Sequence, residues 1–171
     1  MSEENKTGTA LVISAFGKAP ELRLEMENIR EAERRLIEAK TVNPVTYADL
    51  EHTFNESYRD LKRHLSNIGF ALTKAHQTME EAKANALLDK YPDFLEQKGL
   101  KDNTDNRKGF LTRDVDYVAA LDRIAQLEAL QSNFEGKLKV MENVCRYMRK
   151  QMDLILRSGL SGKDLYNTYK K

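Results

Sequence analysis

What the chain has little of narrows its class first. It holds no tryptophan, one cysteine, three prolines and eight glycines in 171 residues. A lone Cys145 cannot close an internal disulfide, which excludes the disulfide-stapled secreted scaffolds; inside an apolar stripe it reads as a small buried hydrophobe. A chain rich in Ala, Glu, Lys, Leu and Arg and so poor in breakers favours long helices or coiled coils. The hydrophobic fraction of 40% suits a thin helical core better than a thick globular one. No run approaches the roughly 18 apolar residues of a membrane span, and the short apolar stretch Ala10–Phe16, preceded by Glu3 and Glu4, lacks the length and flanks of a signal peptide. These absences predict no membrane contact and a cytoplasmic location, the host cytoplasm if a phage encodes the chain. The net charge is only +1, so the molecule as a whole has no strong field.

What is present is unevenly distributed. Residues 1–60 carry 12 acids against 8 bases, whereas residues 98–113 carry 5 bases against 2 acids and residues 135–171 carry 9 bases against 4 acids. An acidic first third with a basic middle segment and tail suggests separate tasks for the two ends.

Hydrophobic periodicity predicts an all-α fold, a rod-like long antiparallel helical hairpin with a shorter N-terminal helix. Residues 1–19 lack a period and read as a flexible arm. Pro20 suits the first position of a helix over 20–40, with Leu22, Met26, Ile29, Leu36 and Ile37 on one face. Thr46 is a plausible N-cap for a long helix over 46–90. Its seam, Tyr47, Leu50, Phe54, Tyr58, Leu61, Leu65, Ile68, Leu72, Ala75, Met79, Ala82 and Ala86, has heptad spacing with one stutter between Phe54 and Tyr58. Tyr91–Pro92 ends that helix, and the polar, Asn- and Asp-rich residues 91–113 read as a basic linker. Thr112 or Asp114 caps a second long helix over 114–157, whose seam runs from Tyr117 to Ile155 in unbroken steps of three and four with Gln131 as its one polar position. Gly159 stops it, and residues 159–171 form a tail in which Ser161 caps at most one short helix. Val118, Leu121, Leu130, Val144 and Leu154 widen the apolar stripe beyond what two helices can bury, so the N-terminal helix, a second protomer or both must cover it, and a homo-oligomer is expected.

Chemistry-bearing patterns are scarce. His52, His64 and His76 are spaced by 12 residues, point three ways on a helix, and read as surface residues. No zinc, metalloprotease or phosphate-loop spacing occurs, and the stretch from Ser158 to Lys163 follows a helix rather than a strand. Acidic pairs such as Glu80 and Glu81 read as solvated helix surface. No catalytic residue, metal ligand or cofactor is implied, and an enzyme is not expected.

Two basic sets stand out. Lys98, Lys101, Arg107, Lys108 and Arg113, with Tyr91 and Phe110 interleaved, suit single-stranded nucleic acid, cations meeting phosphates and rings stacking on splayed bases. Arg59, Lys62 and Arg63 on the first long helix, with Arg146, Arg149 and Lys150 on the second, would form a secondary band across the hairpin; Lys137, Lys139 and Arg157 extend the basic set on that second helix. Residues about 80–157, which include the continuous stretch from Ala84 to Lys150 with its "KYPDFLEQKGLKDNTDNRKGFLTRD" core, resemble the phage recombination mediators of the UvsY type. The shared layout is a helix running into a short aromatic and basic segment, then a Thr-Arg-Asp start to a long helix that ends in an aromatic and basic stretch. Residues 1–79 have no counterpart in that layout. The resemblance implies a non-enzymatic, homo-oligomeric factor that binds single-stranded DNA and helps load a recombinase onto strands coated with single-strand-binding protein. It places the contacts on Lys98, Lys101, Arg107, Lys108 and Arg113. The residues alone leave an alternative open, a protein-only coiled-coil adaptor, structural or inhibitory, that docks on a partner through its apolar stripe.

Overall fold

A computed structural model describes residues 10–158, so the Gly159 stop and the Ser161 tail lie outside the described residues. The chain is mostly helical. Two short strands, β1 (Ala10–Ile13) and β2 (Leu22–Glu25), pair in a two-stranded sheet. They are followed by α1 (Glu27–Arg34), a 3-10 turn (Glu38–Thr41), α2 (Tyr47–Asn85), a π-helical turn (Ala86–Lys90), α3 (Tyr91–Lys98), α4 (Thr104–Leu111) and α5 (Val115–Arg157).

Three sequence expectations need correction. The helix expected from Pro20 begins only at Glu27, because Leu22, Leu24 and Met26 are buried while Arg23 and Glu25 are exposed. That alternation is the period of a strand, not of a helix. The strands are joined across the tight Phe16–Ala19 turn, in which each residue's N–H donates to the other's carbonyl and Gly17 takes φ +53°. Second, Tyr91–Pro92 does not end the helical path. The five-residue π turn widens the helix just ahead of Pro92, where a proline would otherwise break a ladder bond, and α3 continues to Gly99, a left-handed C-cap at φ +61°. Third, the linker over 91–113 contains two helices. The Asn103 side chain accepts the Asn106 N–H at 2.8 Å and caps α4, so the Asn and Asp content that reads as loop is in part a helix start.

The chain forms two compact units, and α2 and α5 contribute to both. One unit comprises, among the described residues, 10–11, Leu24–Leu65 and 133–158. In it α2 and α5 run antiparallel, Glu51 lying near Arg149 and His64 facing Phe134. The segment from Leu24 to Val42 lies along both. Asn28 donates to Asp60 at 2.9 Å, Arg35 reaches Asp49, Thr53 and Glu38, Lys137 pairs with Glu33, and the Tyr147 hydroxyl donates to the Lys40 carbonyl. The core of this unit is Leu24, Ile29, Ala32, Leu50, Phe54, Leu61, Phe134, Met141 and Met148.

The α2 seam differs from the apolar reading in a way that removes its irregularity. The buried positions are Leu50, Phe54, Ser57, Leu61, His64, Ile68, Ala71 and Ala75, in steps that alternate four and three without a stutter. Tyr58 and Leu65, the expected seam residues, are only half-buried. Two polar residues hold the places that hydrophobicity assigned to their neighbours. His64, expected at the surface, is 2% exposed; its Nε2 lies 2.7 Å from the Glu25 carbonyl. Thr46 holds the position just before α2, as expected, and its carbonyl accepts the Leu50 N–H; the preceding turn is braced by Asn43, whose side chain accepts the N–H groups of Val45 and Thr46 and whose N–H donates to the Thr46 hydroxyl.

The other unit comprises Val12–Arg23 and Ser66–Ser132. Here the turn of the strand pair lies against α2. The Lys18 N–H donates to the Thr78 hydroxyl at 2.9 Å and its ammonium pairs with Glu81. From α5, the buried Arg123 donates to the Ser14 carbonyl. The core is Ala19, Leu22, Ile68, Ala71, Leu72, Ala75, Ala120, Ile124 and Leu127, closed at one end by Tyr91 and Leu111.

Candidate nucleic-acid interface

The segment from Lys90 to Arg113 is held to the start of α5 by ion pairs. Lys90 donates to Asp114 and Asp116, both at 2.8 Å, and these hydrogen bonds hold its pKa above the ordinary lysine range. Of the two expected cap residues Asp114 is the one used, its carboxylate accepting the Tyr117 N–H at 3.0 Å. Its side chain is nearly enclosed. Burial pushes the carboxyl pKa up, but the Lys90 ammonium and the Tyr117 N–H outweigh it and hold the group below its ordinary value.

Within this frame Tyr91, Phe94 and Phe110 form an aromatic cluster with ring centres 5.2–6.3 Å apart. Tyr91 is 4% exposed and its hydroxyl donates to Asp102 at 3.3 Å, with burial raising its pKa. It is a structural ring and not the stacking platform that the sequence suggested; Phe110 and Phe94 are half-buried. Arg107 is likewise engaged, forming a two-pronged pair with Asp102 that depresses the Asp102 pKa. Lys98, Lys101, Lys108 and Arg113 are exposed and make no ion pair among the described residues. The five expected cations are thus four open ones and one that braces the fold. The clue to Arg107 was local: Asp102 stands five residues before it, and the two face one another around the start of α4.

The secondary band is not a continuous cationic surface. Arg59 pairs with Glu56, Arg63 with Asp60 and Arg149 with Glu51, and Lys62 lies over the Tyr58 ring at 5.5 Å. Arg146 and Lys150 stay open, but they share a shallow groove with Glu142 and Asp153. Cys145, which also lines it, is half-buried, and desolvation raises its thiol pKa. Of the histidines, His52 and His76 are exposed while His64 is in the core. Among the described residues no three His, Cys, Asp or Glu side chains converge to hold a metal ion, and no helix is long and apolar enough to cross a membrane.

No protein-family model, no curated protein and no solved structure matches this chain.

Proposed function

We propose that the chain is a non-catalytic protein that binds single-stranded DNA through the cations of the α3–α4 segment and acts as a recombination mediator. The observation that carries this reading is the set of four exposed cations, Lys98, Lys101, Lys108 and Arg113, that have no acidic partner among the described residues. A cation already paired with a carboxylate gains little from a phosphate, whereas an open one releases the counterions condensed on the strand. The partly open edge of Phe110 is the ring left to meet a base, with Tyr91 fixing its position from below.

Four contacts per chain give modest affinity, so the role calls for several copies acting on one strand. Exposed Leu88, Val115 and Leu121 in the same unit favour self-association. A mediator that hands a strand to a recombinase must also release it, which suits weak contacts repeated over an oligomer better than one deep site. Changing Lys98, Lys101, Lys108 and Arg113 together to Glu abolishes retention of a fluorescent single-stranded oligonucleotide at low salt, with the helical circular dichroism unchanged. Undiminished retention by a folded variant refutes the assignment.

A further inference from the structure

We propose that a groove in the Leu24–Leu65 unit is the docking site for one acidic, amphipathic α-helix of a different protein. The groove encloses about 650 Å³ between the segment Leu36–Lys40 and α5, where Asn143, Val144 and Tyr147 line it. It is apolar yet open. Ile37 is 75% exposed and Tyr147 42% exposed, and the Tyr147 hydroxyl is tied to the Lys40 carbonyl, which fixes the ring as part of the floor. The apolar surface continues along α5 through Val140 and Leu154, exposed by 43% and 60%. Val140, Val144, Tyr147 and Leu154 recur at heptad spacing, on a face beside the one that buries Met141 and Met148. The stripe is about 21 Å long at the helical rise, the length of about four turns of a partner helix.

Charge selects the occupant. Lys139, Arg146, Lys150 and Arg157 follow one another on α5 in steps of seven, four and seven, which places them in one row along the stripe. All four are exposed and make no ion pair among the described residues. Lys40 stands on the opposite rim, and the nearest acid of that segment, Glu38, is held by Arg35. On α5, Glu142 and Asp153 lie beyond the cation row, away from the stripe. A recessed apolar channel with a cationic border matches a helix whose apolar side chains repeat at i, i+3 or i+4 and i+7 and whose flanks are acidic. A nucleic acid would meet the cations but leave Ile37, Val144 and Leu154 in water. A bilayer would reach the crests of the stripe but not the channel beside Leu36 and Ala39. This surface is separate from the α3–α4 cations, and its use does not depend on DNA binding there.

The test is fluorescence anisotropy of the full chain with a labelled amphipathic peptide of about four helical turns, Leu at the groove-facing positions and Glu on both flanks. The control peptide carries Lys in place of each Glu. The Glu peptide binds saturably, and the Lys peptide binds about tenfold more weakly or worse. Ile37→Ser with Val144→Ser, and separately Lys139→Glu with Lys150→Glu, each weaken the Glu peptide about tenfold; Ile37, Lys139 and Lys150 are exposed and Val144 is half-buried, and thermal unfolding checks that the fold persists. No binding of the Glu peptide, or binding indifferent to both variant pairs, overturns the proposal. So do three other outcomes: loss of oligonucleotide binding but not of peptide binding in Lys139→Glu/Lys150→Glu; capture by phosphatidylglycerol vesicles that Ile37→Ser abolishes; or a concentration-dependent homo-oligomer that Ile37→Ser disperses.

Discussion

At the residue scale, three positions decide more than their letters suggest. Gly17 takes a left-handed φ, and a Cβ there would come within 2.3 Å of the Thr78 side chain. Gly17→Ala therefore lowers stability by about 1–3 kcal/mol through backbone strain and the displaced turn, read as a lower midpoint in thermal unfolding. Ser57 and His64 sit in the α2 seam. The Ser57 hydroxyl has no hydrogen-bond partner in the core, so Ser57→Ala costs nothing or stabilises by about 0.5–1 kcal/mol, whereas His64→Ala loses a hydrogen bond and opens a cavity beside Phe134 at about 2–4 kcal/mol. Chemical denaturation of the two variants separates them. Neither residue was legible as core, because a reading that follows apolar letters steps to Tyr58 and Leu65 and must then insert a stutter. Heptad regularity was the better guide: Leu50, Phe54, Leu61 and Ile68 fix a rhythm that passes through Ser57 and His64 whatever their polarity.

At the element scale, Asp114 joins the end of the α2 path to the start of α5 through Lys90 and Tyr117. Its folded pKa lies below the unfolded value of about 3.9, so its contribution is present above that pH and is lost as pH falls through the depressed folded value. Asp114→Asn keeps a side-chain cap but removes the charge, and should flatten the acid limb of a stability-against-pH curve below about pH 4 while costing about 1 kcal/mol at neutral pH. An unchanged acid limb contradicts the assignment. The elements themselves were legible to different degrees. The α5 seam, where Ala120, Leu127, Phe134, Met141 and Met148 are buried, followed directly from its steps. The strand pair did not, since Leu22, Met26 and Ile29 fit a helical face as well as Leu22, Leu24 and Met26 fit a strand; only the Phe16–Ala19 turn breaks the tie. The helices α3 and α4 were hidden by residues that serve both loops and caps, Asn103 above all.

At the scale of the whole molecule, the helical class follows from hydrophobic rhythm, and the antiparallel pairing of α2 with α5 from their similar lengths and the linker that joins them. The candidate interface was legible only as composition. Charge counts locate Lys98, Lys101, Lys108 and Arg113 but cannot tell them from Arg107, which Asp102 occupies, nor foresee that Tyr91 is walled in by Phe94 and Phe110. Which cations remain open is a property of folded geometry, and the function proposed rests on those four. The most direct test is the salt dependence of oligonucleotide binding to the full chain. Each phosphate contact on a single strand contributes a slope of about −0.7 in log K against log salt, so four open cations per chain give about −3 per protomer, and the quadruple Glu variant gives a slope near zero. A wild-type slope near zero, or one unchanged by the four substitutions, contradicts the account.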